Sequence, residues 1–158
     1  MQVGQRNAEV GSSVAANVFQ SALRSQKEVN VIAVSDQKSV VFDEFLTNKY
    51  DVADMASLFR KSDKLGAALL THVIQERLYD ATNRTTAKPT LAGFGPAHAS
   101  ALQAENQVLG TSRREVRTGL FHGFFNTMDI RMNWVDDKGN VVHSYRHFEY
   151  PWQGSPAD

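Results

Sequence analysis

Two stretches of this 158-residue chain restrict its folding more than any others. They are Leu69-Leu70-Thr71-His72-Val73-Ile74-Gln75-Glu76-Arg77-Leu78 and Ala97-His98-Ala99-Ser100-Ala101-Leu102-Gln103-Ala104-Glu105. Both have helical spacing, and each sets one histidine and one glutamate among its inward positions. Titratable groups are costly to bury unless they are paired or hold a metal ion. The two helices are therefore expected to meet through His72, Glu76, His98 and Glu105.

The limits of both helices can be read from their flanks. Ser62 or Asp63 caps the first, whose apolar positions are Leu65, Leu69, Leu70, Val73, Ile74 and Leu78. At about 100° per residue, Leu65, Leu69, His72, Val73 and Glu76 share one arc of the helix. Gly95-Pro96 is expected to open the second helix, with proline at the first helical position, and Gly110 to end it. Along it, His98, Leu102, Glu105 and Leu109 lie on one face. Residues 82–95 between the helices read as a polar loop bearing Thr, Gly and Pro, a length that usually signals function or motion.

The remaining elements build an α+β fold: about three helices packed on antiparallel β-hairpins in a single compact domain. Val10, Val14 and Val18 recur at helical spacing in residues 9–24. The β-branched runs at 29–34 and 40–42 predict an antiparallel hairpin. Asp43, Glu44, Asp51 and Asp54 match no calcium loop and read as caps and a solvated connection. Met128, Ile130, Met132 and Trp134 alternate with polar residues, and the Asp136-Asp137-Lys138-Gly139-Asn140 turn returns the chain through residues 141–148 as a second hairpin. Residues 1–8 and 151–158 are expected to be loose tails.

Composition narrows the function classes. Lysine plus arginine balance aspartate plus glutamate at 17 each, which gives no general attraction to nucleic acid or anionic lipid. Without cysteine, disulfides and thiolate metal sites are excluded. No run has membrane-spanning length and the N-terminus has no apolar signal core, so no membrane insertion is expected. The expected location is the cytoplasm, or outside it by a specialised export system without a cleavable Sec signal.

His72 and Glu76, one helical turn apart, can reach a common point. His98 is the candidate third ligand, and two imidazoles with one carboxylate suit zinc with an open fourth position. Glu105, two turns beyond His98, would orient that histidine from behind, replace Glu76 as ligand, or act as the base. The string Ala68-Leu69-Leu70-Thr71-His72, then Glu76, Ala97-His98 and Glu105, resembles a divergent form of small zincin-type metallopeptidase-like domains of bacterial toxins and effectors. The resemblance covers residues 29 to about 110 and implies a zinc site and a protein or peptide partner. It breaks at two places. Val73 stands where the catalytic glutamate of H-E-x-x-H belongs, and Glu76 replaces the second histidine.

The competing expectation is a non-catalytic structural or protein-interaction domain. His72 then pairs with Glu105 and His98 with Glu76 as buried ion pairs. The Met128, Met132 and Trp134 stripe would supply contact area for a partner if it is not core. Two lesser sites are His143, Tyr145 and His147 on one strand face, and a basic patch of Arg113, Arg114 and Arg117 beside Phe121, Phe124 and Phe125.

Overall fold

The structure is a computed structural model that describes residues 13–37, 40, 42–118, 121–122, 125–126 and 128–149, with side chains described outside 114–130 and 147–149. The expected tails, the start of the first helix, His147, Arg114, Arg117 and the Phe121, Phe124, Phe125 and Met128 side chains lie outside the described residues or side chains.

The fold is α+β, with four helices among the described residues: α1 (Ser13–Arg24), α2 (Val52–Lys61), α3 (Asp63–Asn83) and α4 (Leu91–Leu109). The one not anticipated is α2. Its N-terminus is fixed by Asp51, whose carboxylate accepts from the Ala53 and Asp54 amides, and its buried residues are Met55 and Leu58.

The central element is α3, which contacts α1, α2 and α4. Its buried residues include Leu65, Leu69, His72, Val73 and Glu76 within one arc and Ala68, Thr71, Arg77 and Ala81 around the rest of its circumference, so it is a core helix rather than a one-faced surface helix. Ser62 Oγ caps it by accepting from the Leu65 amide at 3.3 Å, as expected from sequence.

Among the described residues, the first predicted hairpin does not form. β1 (Ile32–Val34) instead runs parallel to β3 (Lys49–Asp51), while β2 (Asp43–Glu44) pairs antiparallel with β3 in a sheet of order β1-β3-β2. Backbone geometry explains the difference. Asp36 and Phe42 both have positive φ, which breaks the chain on either side of Val40, and the Gln37 amide is held by Asp51 Oδ2 at 2.8 Å. The connection folds onto the start of α2 instead of turning back on β1.

The second hairpin forms as predicted. β7 (Met128–Val135) pairs antiparallel with β8 (Val141–Glu149), and β4 (Ser112–Thr118) adds on the other side of β7. Gly139 supplies positive φ in its turn. β5 (Phe121–His122) and β6 (Phe125–Asn126) form a separate antiparallel pair. Met132, Trp134 and Tyr145 belong to the same buried cluster as Met55, Leu58, Leu65, Leu69 and Val73. Met132 and Trp134 are therefore core and offer no surface to a partner.

The loop between α3 and α4 is shorter than its sequence suggests. It spans 84–90, because α4 begins at Leu91 and runs through Pro96. Thr90 starts the helix earlier than proline would, its hydroxyl accepting from the Gly93 amide. Gly110, left-handed at φ 70°, ends α4 as expected. Among the described residues, no helix is long and apolar enough to cross a membrane.

Candidate metal centre

Helical phase brings the polar residues of α3 and α4 together. His72 and Glu76 are one turn apart on α3, and His98 and Glu105 lie on the face of α4 that packs against it. His98 Nδ1 lies 3.0 Å from Glu76 Oε1, and His72 Nδ1 lies 2.8 Å from Glu105 Oε2. Each histidine thus meets the glutamate of the opposite helix. The His72 contact is close but off the line of a good hydrogen bond.

The other nitrogen of His72, Nε2, stands 3.8 Å from Glu76 Oε1. His72, Glu76 and His98 each offer a ligand atom, and these atoms all lie within 4.8 Å of one another. Ligands held tetrahedrally at about 2.0–2.2 Å from a zinc ion stand roughly 3.3–3.6 Å apart. The 3.0 and 3.8 Å separations at Glu76 Oε1 bracket that spacing, so this group could hold a metal ion with small side-chain movements.

Glu105 sits behind this group and is fully buried. Trp134 Nε1 donates to its Oε1 at 2.5 Å, and Arg113 Nη1 donates to its Oε2 at 3.1 Å. Burial alone would push the Glu105 carboxyl up. Contact with His72, the Arg113 charge and the Trp134 hydrogen bond outweigh it and hold the group below its ordinary value. Arg113 continues toward the second histidine, its Nη2 lying 3.4 Å from His98 Nε2. Because guanidinium only donates, that nitrogen of His98 accepts, which leaves Nδ1 to carry the hydrogen toward Glu76.

On the opposite flank, Arg77 pairs with Glu76 and reaches Asp43 Oδ2 at 2.9 Å. Burial would raise the Glu76 carboxyl as well, but the hydrogen bond from His98 and the charges of His72 and Arg77 hold it at about 2. Asp43 moves the other way. Burial pushes it up, and the Glu76 carboxylate adds to that against the pull of Arg77. Two guanidiniums, Arg77 and Arg113, thus face two low-pKa carboxylates, Glu76 and Glu105, in one chain of contacts that runs through both histidines.

Aromatic rings flank the remaining side, where His98 is partly exposed. Phe94 stacks on His98 with centroids 4.9 Å apart, Phe45 meets Phe94 edge-on at 5.4 Å, and the Arg77 guanidinium lies over Phe45 at 5.5 Å. His72 and His98 meet edge to face at 4.9 Å.

All four polar residues singled out from sequence are in this cluster. Arg77, Asp43 and Trp134 were missed, and Arg113 read as part of a basic patch with Arg114 and Arg117. The indole N–H of a buried tryptophan needs an acceptor, so an inward Trp134 was a usable signal. Arg77 pairs with its neighbour Glu76, but its second partner, Asp43, is 34 positions away in sequence. Ser100 accepts from Gln75 Nε2 at 2.9 Å and is no nucleophile for His98. Tyr145 is buried, its hydroxyl donating to Asp54 Oδ1 at 2.9 Å, so it lines no open strand-face site with His143. Comparison with known proteins finds no matching family model, curated protein or solved structure.

Proposed function

We propose that this protein is a divergent metallopeptidase-like domain that holds one zinc ion through His72, Glu76 and His98 and does not hydrolyse peptides. The observation that carries this reading is the mutual approach of three ligand atoms within 4.8 Å at the junction of two helices. The surroundings of His72 support it. One ring nitrogen is engaged by a buried carboxylate that is itself fixed by Trp134 and Arg113, and the other nitrogen faces Glu76. A carboxylate behind a histidine is the arrangement that orients metal-ligating imidazoles.

When bound, the ion would supply Lewis acidity. This chain's own residues fix the ligands and exclude water on one side. Holding His98 by Nδ1 requires its hydrogen to move to Nε2, which displaces the long Arg113 contact. Among the described residues, none is placed to finish a peptidase reaction. Val73 cannot take a proton, and Glu105, with three partners and a depressed pKa, serves as a positioning residue. The resemblance noted in the sequence extends the reading to a delivered toxin or effector domain whose partner is a protein or peptide.

A second reading is favoured by one feature, the completeness of the pairing without any ion. Arg77 and Arg113 already provide the cations that Glu76 and Glu105 require. In this alternative the cluster only fixes the register of α3 on α4. Zinc titration separates the two. Zinc at about a hundred times its dissociation constant should stabilise the metal-binding form by about 2.7 kcal/mol, seen as a raised melting temperature. His72→Ala should abolish that rise. A wild-type melting curve that zinc leaves unchanged would sink the metal reading and leave the ion-pair core.

A further inference from the structure

The ligand group has one open side. Side-chain exposure is 3% for His72 and 1% for Glu76 but 22% for His98, so anything reaching the cluster must pass the His98 ring. Phe94 is stacked on that ring.

Phe94 is carried by a weak piece of helix. The first turn of α4 is Leu91-Ala92-Gly93-Phe94-Gly95, followed by Pro96. Proline has no N–H to give the Ala92 carbonyl, so the hydrogen-bond ladder is broken where this turn joins the rest of α4. Glycine at 93 and 95 lowers helix propensity on both sides of Phe94. The outer end is held by Thr90, whose carbonyl accepts from the Gly93 and Phe94 amides. Leu91 is 77% exposed and anchors nothing. On the far side of the turn lies a cleft of about 320 Å³, lined by Tyr79, Asp80, Arg84, Thr90, Gly93 and Pro96, which leaves room for movement.

The geometry points to a lid: the Leu91-to-Gly95 turn swings at Gly95-Pro96 and, with Phe94 as its plug, controls access of a divalent metal ion to His98. What passes the lid rests on the zinc reading. The motion itself does not, and it can be measured on metal-free protein.

The test uses two variants of the full chain. Gly93→Ala strengthens the turn, since alanine is the better helix former and its Cβ would meet only side-chain ends, Asp80 Oδ1 at 3.3 Å and Thr90 Oγ1 at 3.6 Å. Gly95 is left alone, because a Cβ before proline disfavours helix. Phe94→Ala removes the plug. Diethylpyrocarbonate acylates accessible imidazole, and peptide mass spectrometry reads the rate at His98 alone. In metal-free protein, Gly93→Ala should slow acylation roughly two- to five-fold, the range set by the glycine-to-alanine helix preference. Phe94→Ala should speed it. Zinc association, followed by stopped flow, should change in the same order, with the affinity of Gly93→Ala close to wild type. Unchanged His98 acylation in Gly93→Ala overturns the lid even if zinc binds. Acylation that follows the expected order in a protein that takes up no zinc keeps the lid and removes the zinc reading.

Discussion

His72 and Glu105 lie 33 positions apart in sequence, yet their Nδ1 and Oε2 atoms are 2.8 Å apart, with both side chains almost wholly buried. This contact fixes the rotation of α3 against α4 and aims the second nitrogen of His72 at Glu76. Much of the chemistry of the cluster depends on it.

Glu105→Gln tests that dependence. The substitution keeps the shape but removes the charge that Arg113 and Trp134 address, so the Arg113 guanidinium meets a neutral amide there. Urea denaturation should show a loss of about 3–5 kcal/mol. In zinc titration the affinity should fall about ten- to a hundred-fold, as for other residues that orient a ligand from behind. Loss of stability with unchanged zinc affinity would separate Glu105 from the metal group.

Arg77 should be as important as any expected ligand. It is 2% exposed and answers both Glu76 and Asp43. Arg77→Met keeps an apolar stem against Phe45 but takes the cation from Asp43 and leaves Glu76 with the two histidines, so chemical denaturation should report a loss of about 3–5 kcal/mol. Adding Asp43→Asn should recover part of it, because the carboxyl that lost its cation is then gone. Strict additivity in that double-mutant cycle would count against the coupling of Arg77 and Asp43.

Gly66 has a packing role that helix propensity hides. A Cβ there would overlap the Phe59 ring, near its base rather than at a flexible tip. Gly66→Ala should therefore destabilise the protein by about 1–3 kcal/mol, although alanine is the better helix former by about 1 kcal/mol. A raised melting temperature would show that Phe59 moves aside freely.

Tyr145 gives a pH signature at the alkaline end. Burial pushes its phenol up, and the nearby Asp54 carboxylate, which accepts its hydrogen bond, adds to the shift. A folded-state pKa above the unfolded value of about 10 contributes stability that is complete below pH 10 and is lost as pH rises through the folded value. Tyr145→Phe should be less stable than wild type at neutral pH by about 1–3 kcal/mol. The difference should shrink above pH 10. Parallel stability curves across that range would refute the assignment.

The parts of the fold that were legible in sequence are those decided within a few residues. Helical spacing placed His72 and Glu76 on one face, and the Ser62 cap, the Gly110 stop and the Gly139 turn act through their own backbones. The strand alternation around Met132 and Trp134 was likewise readable, because one face of that hairpin is core. Where local signals competed, the reading failed. Pro96 looked like a helix start, but Thr90 offered an earlier cap, and proline is tolerated with the loss of one hydrogen bond. The 29–34 and 40–42 runs had strand character, yet their pairing depended on Asp51 and on backbone turns at Asp36 and Phe42.

By itself, then, the sequence determined that two helices each carry an inward histidine and glutamate, since spacing and burial cost depend only on residues one or two turns apart. Only the tertiary structure decided between the arrangements left open, bringing His72 to Glu105 and His98 to Glu76 rather than Glu105 behind His98, and it added Arg77, Arg113 and Trp134 to the cluster. Apart from Arg77 with its neighbour Glu76, those pairings join residues 8 to 34 positions apart, through the packing of α3, α4 and strands of both three-stranded sheets. A buried charge takes whatever partner the packed elements bring within reach, and no local pattern records that choice.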